Sequence, residues 1–268
     1  MTDLAAAAAA LLGAELRGAV PLAGGDLSQP VRLTLADGRE VVAKGGPSPP
    51  AEAAMLRAIA AAGVAAPAVL AVSDRVLVIE CLPSGDSLAG AWGDLGRALA
   101  ALHACRGPHY GWSQDYAFGS VAIPNGPTAD WPAFWARRRL CPSLPHLPPA
   151  LARRIEALAG SLHDRLPATP PPALLHGDLW GGNILVADGR VGGLIDPACC
   201  HGDGEVDIAM LTLFDRPGPA FYDAYGGLQP GHAERLAIYR LWPALVHLRL
   251  FGGVYRGLVE RQLDSIGA

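Results

Sequence analysis

Residues 174–211 read LLHGDLWGGNILVADGRVGGLIDPACCHGDGEVDIAML. Only 17% of the chain is charged, yet this stretch holds five aspartates, a glutamate and an asparagine among apolar runs and glycines. A fold does not need so many acids in one place. Asp188-Gly189 is a hairpin turn signal inside ILVADGRVGGLI. The hairpin sets Asn183 and Asp196 at the same end, and the loop carrying Asp178 enters that mouth too. Two carboxylates and an amide converging at a sheet edge suit phosphoryl transfer, which is mostly positioning and charge neutralisation. A carboxylate and an amide oxygen suit a hard cation such as Mg²⁺. A third carboxylate can orient an attacking hydroxyl or take its proton. Asp178 fits the base, with Asn183 and Asp196 as metal ligands. The spacing H-G-D-x-x-x-x-N, followed by Asp196-Pro197-Ala198, parallels the H-R-D-x-x-x-x-N and D-F-G pattern of protein kinases.

This chemistry also needs a cation on the phosphates. The chain has a single lysine, Lys44; its other twenty basic residues are arginine. Arginine's flat fork is a poor copy of a compact ammonium, so a lone lysine in an arginine-rich chain marks a place that needs one. Lys44 closes a strand, and Glu52 opens the next helix as its expected partner. Glu52 would also serve there simply as a first-turn acid favoured by the helix dipole. Gly24 and Gly25, in PLAGGDLSQPVRL, precede a strand and can cover phosphates, although they do not form a G-x-G-x-x-G pattern. In IECLP, backbone groups of Glu80 and Leu82 are placed to meet an adenine.

The elements that must position these groups are legible. VRLTLADGREVVAK is a hairpin about Asp37-Gly38. AEAAMLRAIAAAG has apolar residues at helical spacing and stops at Gly63. PAVLAVSDRVLVIECLP gives two more strands about Ser73-Asp74. SLAGAWGDLGRALAALHAC and ALARRIEALAGSLHDRL are helices. Residues 105–150 are loop-rich, with Trp131, Phe134 and Trp135 as packing anchors, and PATPPPA is a stiff connector. The expected architecture is α+β and bilobal. A small N-terminal nucleotide-binding lobe, 1–82, has an antiparallel sheet and one packed helix. A larger, mainly helical lobe, 83–268, carries catalysis and substrate binding.

Composition narrows the partners. A net charge of −4 and a pI near 6.0 argue against nucleic acid, which calls for a basic face. The N-terminal MTDLAAAAAALLGAEL lacks a basic n-region and reads as a surface helix rather than a signal peptide. No apolar run reaches the 18 residues of a membrane span. Five cysteines without CxxC spacing fit free thiols in a reducing cytoplasm. The neighbours Cys199 and Cys200 read as small, semi-buried side chains, with a redox pair as the alternative. A monomer is expected.

Across its whole length the chain resembles the fructosamine kinase (ketosamine-3-kinase) family, relatives of the aminoglycoside phosphotransferases. The carrying stretches are GGDLSQPVRL, AEAAMLRAI, LLHGDLWGGNILV, LIDPACCHGDGEVDIAML and ALVHLRLFGGVY. The resemblance implies a protein-kinase-like fold, ATP and Mg²⁺. It implies a ketosamine acceptor such as a fructosamine or ribulosamine adduct, phosphorylated at O3 of the sugar in a deglycation repair. Position by position it implies Asp178 as base, Asn183 and Asp196 as Mg²⁺ ligands, and Lys44 with Glu52 as the phosphate pair. Trp180 and His247 are similar to the family's substrate-pocket residues. Trp180 would serve equally in lobe packing, and His247 as a satisfied helix histidine. His176, Glu205 and Asp207 are structural support, Asp207 holding the catalytic loop's backbone N–H groups. The chain departs from the family at Cys200-His201, where an aromatic pair is common, and at Gly204, where arginine is common. It departs again in YAFGSVAIPN, which lacks the polar residues of the corresponding loop. All three departures flank the expected acceptor pocket.

Other readings remain. An aminoglycoside or other small-molecule hydroxyl phosphotransferase would share the mechanism, but its polycationic acceptors call for a more acidic pocket. A protein kinase would need an activation segment, and only ten residues separate Asp196 from Asp207. A nucleotide-binding pseudokinase would not need Lys44, Asp178, Asn183 and Asp196 together.

Overall fold

The structure, a computed structural model, describes residues 2–22 and 29–268; Gly24 and Gly25 lie outside the described residues. The chain begins with α1 (Thr2–Leu11), β1 (Leu16–Pro21), β2 (Val31–Leu35) and β3 (Glu40–Lys44). There follow α2 (Pro49–Ala61), β4 (Val69–Val72) and β5 (Leu77–Glu80). The five strands form one antiparallel sheet in the order β1-β2-β3-β5-β4. The β2–β3 turn is closed by the Asp37 side chain, which accepts from the Arg39 N–H at 3.0 Å. Gly38 supplies the positive φ that the turn requires. β1 has no counterpart in the sequence reading. It is an edge strand, mostly exposed, so it lacks the buried alternation that marks an inner strand.

Alternation of side chains along strands puts two helices on opposite faces. On one face Val31, Leu33, Leu35, Val41, Ala43, Val76 and Val78 bury Ala5 and Ala8 of α1. The N-terminal helix therefore exposes one side and packs the other. On the opposite face Leu77 and Ile79 meet Ala53 and Leu56 of α2. Ser48 caps α2 and Pro49 sits in its first turn, where a missing N–H costs nothing. The same helix turns Met55 and Ile59 into the larger core beyond the sheet, so α2 serves two cores.

The remainder is mainly helical. A turn at Leu88–Gly90 leads into α3 (Trp92–Ala104), later than the apolar pattern alone implies. The loop-rich region contains a small hairpin, β6 (Tyr116–Phe118) with β7 (Val121–Ile123), and α4 (Trp131–Phe134). Trp131, Phe134 and Trp135 are buried and ring-packed, as expected of anchors. Then come α5 (Pro149–Arg165), β8 (Ala173–Leu175), β9 (Ile184–Ala187), β10 (Arg190–Leu194) and β11 (Cys200–Gly202). β9 and β10 pair about Asp188 and Gly189, both with positive φ. The chain ends with α6 (Glu205–Phe214), α7 (Pro219–Tyr225), α8 (His232–Phe251) and α9 (Arg256–Ser265). The architecture is α+β and bilobal. Among the described residues no helix is long and apolar enough to cross a membrane.

Candidate active site

Alternation along β3 buries Val41 and Ala43 on the α1 side and turns Lys44 to the α2 side. There its ammonium lies 2.7 Å from Glu52 and also contacts Asp196. Lys44 is 4% exposed. Burial alone would push its pKa down, but the two carboxylates outweigh that and hold it up. Tyr116 of β6 reaches the other oxygen of Glu52 at 3.5 Å. It belongs to YAFGSVAIPN and was not singled out in the sequence, where this hairpin reads as loop.

The loop between β8 and β9 is shaped by backbone constraints. Gly177 has φ +81°, and a Cβ there would stand 2.0 Å from the Ala198 carbonyl oxygen. Only glycine fits, which is why His-Gly-Asp appears as a unit. The N–H groups of His176 and Gly177 donate to the two oxygens of Asp207 at 2.7 and 2.8 Å. His103 adds a third contact to Asp207 at 3.1 Å. Burial raises the Asp207 carboxyl, but the His103 hydrogen bond, nearby histidines and the donated N–H outweigh this and hold it below its ordinary value. Both nitrogens of the buried His176 ring are used on backbone, at Ile195 O (3.0 Å) and the Asp178 N–H (3.3 Å). Burial pushes its pKa down, so the ring is neutral.

These constraints bring Asp178, Asn183 and Asp196 together. The Asn183 amide donates to the Asp178 carboxylate at 3.0 Å and to its backbone carbonyl at 2.8 Å. The Ile195 N–H donates to the Asn183 carbonyl at 3.0 Å, locking the hairpin mouth. Asp196 has φ +54°, a strained left-handed backbone for a non-glycine. Desolvation, then the charges of Asp196 and Asp207, push the Asp178 carboxyl up to about 7 against the Asn183 hydrogen bond. A carboxyl tuned there can accept a proton near neutrality. Among the described residues no group of three or more His, Cys, Asp or Glu is arranged around a cation. Mg²⁺ that is shared with phosphates needs only one or two protein ligands. With its amide nitrogen committed to Asp178, Asn183 has its oxygen left for a cation, and Asp196 adds a carboxylate. The residues fit such an ion.

Glu80 and Leu82 lie where β5 leaves the sheet. The Leu82 side chain rests on Gly193, where a Cβ would approach to 2.5 Å, and the Pro83 carbonyl lies over Gly192. The two glycines let this strip lie against β10.

Trp180 and His247 fall on one surface. Phe214 bridges them, with ring centroids 6.4 Å from Trp180 and 5.1 Å from His247. Tyr255 and Phe251 continue the row at 5.0 and 5.6 Å from His247. Trp180 is 39% exposed and lies over Gly182, where a Cβ would meet its ring at 2.3 Å. Glu205 is buried in a two-bond pair with Arg235, both at 2.7 Å, tying α6 to α8 rather than touching the 176–183 loop. The acid that does touch it, besides Asp207, is Asp215, which accepts from the Gly181 N–H at 2.8 Å. Sequence reasoning gave it no such part, because its partner lies 34 residues away. Of the departures, His201 packs on Trp112. Gly204 abuts His103, which leaves no room for the Cβ of an arginine. Cys199 and Cys200 are buried free thiols, raised by burial.

Comparison with known proteins gives the chain's family and its fold relatives. A probable ketoamine kinase of Thermus thermophilus is 35% identical over 265 residues, 94% of this chain and 96% of that protein. The crystal structure of a candidate fructosamine-3-kinase of Thermobifida fusca superposes with a TM-score of 0.90 at 30% identity, covering 99% of each chain. An aminoglycoside phosphotransferase shares the fold alone, with a TM-score of 0.64 at 20% identity over 99% of this chain and 94% of its own. The fructosamine kinase family model matches residues 14–267. A phosphotransferase fold, a buried lysine–carboxylate pair and a loop built around His176-Gly177-Asp178 thus occur together in a chain that belongs to the fructosamine kinase family.

Proposed function

We propose that this small-molecule kinase uses ATP and Mg²⁺ to phosphorylate the O3 hydroxyl of ketosamines, such as fructosamine or ribulosamine adducts, in a deglycation repair. The observation that carries the reading is Asp178. Its carboxyl is raised to about 7 and oriented by the Asn183 amide, in a loop held by Asp207 beside the Lys44–Asp196 contact. In this reading Asp178 accepts the proton of the attacking hydroxyl, and Lys44, held by Glu52, neutralises phosphate charge. Asn183 and Asp196 hold Mg²⁺, which when bound draws off the charge that builds on the transferred group. Gly24 and Gly25 cover the phosphates, and Glu80 and Leu82 offer backbone groups to adenine. Trp180 and His247 receive the sugar and amine of the acceptor. His176 and Asp207 keep the loop in place, and Glu205 braces α6 on which Asp207 sits. The nucleotide-binding lobe ends at Leu82, and the protein works as a cytoplasmic monomer.

The test is ATP turnover with Mg²⁺ against a panel of ketosamines and a panel of aminoglycosides, with Asp178→Asn as control. Turnover of ketosamines that the variant loses supports the reading. Turnover confined to aminoglycosides overturns the acceptor, and ATP binding without turnover on any acceptor overturns the enzyme.

A further inference from the structure

A cleft of about 600 Å³ lies among α6, α7, α8 and α9, beside the aromatic row rather than in it. Its lining includes Thr212, Asp215, Arg216, Tyr222, Arg240 and Arg261. Three arginines therefore line one space. Elsewhere Arg97, Arg154, Arg235 and Arg256 each hold a carboxylate. Among the described residues none of the three cleft arginines does. Arg216 donates to backbone carbonyls of Thr212 and Asp215. Arg240 donates to the Thr212 hydroxyl at 2.6 Å, while its Nε–H is buried with no acceptor. The one carboxylate in the lining, Asp215, is engaged by the Gly181 N–H. A buried guanidinium N–H without an acceptor is costly, and like charges crowd around a cleft only when something balances them. A planar oxyanion is the partner that a guanidinium fork matches best.

We propose that this cleft binds the carboxylate of the acceptor, so that the preferred ketosamine is a sugar adduct of an amino acid with a free carboxylate. The inference rests on the ketosamine reading and follows from continuity. Leu213 and Asp215 line the cleft, and Phe214 between them touches both Trp180 and His247. Asp215 also holds Gly181, the neighbour of Trp180. An acceptor with its sugar on Trp180 thus reaches the arginines along Phe214.

The test compares fructosyl amino acids of increasing chain length with their carboxamides. Steady-state kinetics and calorimetric binding are measured on the full chain and on Arg240→Gln and Arg261→Gln. Arg261 makes no hydrogen bond among the described residues, so its variant keeps the fold even if Arg240→Gln does not; thermal melts check both. For at least one chain length the acid should show a KM roughly tenfold below its amide at similar kcat. The gap should close in Arg261→Gln. Equal KM for acid and amide at every length overturns the inference while leaving the kinase reading intact. Selective binding of the acids without turnover sustains the inference and overturns the kinase reading. Inorganic phosphate that binds the wild type but not the variants, without acid–amide discrimination, makes the cleft a free-anion site and overturns its assignment to the acceptor.

Discussion

The loop around Asp178 and the aromatic row around His247 lie close together and are built in opposite ways. Around Asp178 nearly every polar atom is tied down. Asp207 holds two backbone N–H groups, His176 spends both ring nitrogens, and Asn183 locks the hairpin mouth. In the row, Trp180, Phe214 and Phe251 are about 40% exposed and touch through ring faces and edges. Ring contacts are adaptable, whereas a network of buried charges and backbone donors has one good arrangement. Phosphoryl transfer requires the second kind of construction. Recognition of varied acceptors is served by the first.

Four substitutions or titrations sharpen the contrast. The largest effect belongs to Asp178→Asn, which keeps size and removes the proton acceptor. Turnover should fall by roughly 10²- to 10⁴-fold with little change in melting temperature; retained turnover would remove Asp178 from the chemistry. Next, Asp207→Ala strands two backbone donors in the interior and should cost about 3 kcal/mol in denaturant unfolding. The sign with pH is fixed by the lowered carboxyl. Its stabilisation is present above the unfolded value of 3.8 and is lost as pH falls through the lower folded value, so the variant should lose part of the acid-side dependence. A smaller effect is expected on the aromatic side: Trp180→Ala should raise acceptor KM roughly tenfold and leave the KM for ATP and the stability nearly unchanged. A comparable loss of stability would make Trp180 a packing residue instead. The mildest signal is the pH profile. With Asp178 raised to about 7, log kcat/KM should climb with pH up to an apparent pKa near that value and level off above it. A flat profile between pH 5 and 8 would mean that no essential base titrates in that window and would remove Asp178 from that role.

The two regions were also unequally legible from residues alone. The Asp178 side announces itself because its constraints are local. Gly177 cannot be another residue, the Asp188-Gly189 turn fixes where Asn183 and Asp196 meet, and alternation on β3 fixes which way Lys44 faces. The aromatic side is assembled from residues far apart in the chain, 180, 214, 247, 251 and 255. Only His247 and Phe251, four apart on α8, share an element whose spacing makes them neighbours; the others meet only in the fold, and Phe214, Phe251 and Tyr255 went unread. Asp215 stayed hidden for the same reason. β1 was missed because an exposed edge strand containing glycine and proline carries no alternation to detect, and Tyr116 because a three-residue strand is too short to show a period. Trp180 and His247 came from resemblance, not from any local pattern.

The solitary lysine has one more consequence. Reducing sugars attach to unprotonated side-chain amines, and this chain has just one side-chain amine, Lys44. Lys44 is 4% exposed, and its nitrogen is held charged between Glu52 and Asp196. The folded protein therefore presents no lysine amine to sugar at its surface. An enzyme acting as proposed on sugar-modified amines would thus carry no exposed lysine side chain open to the same modification.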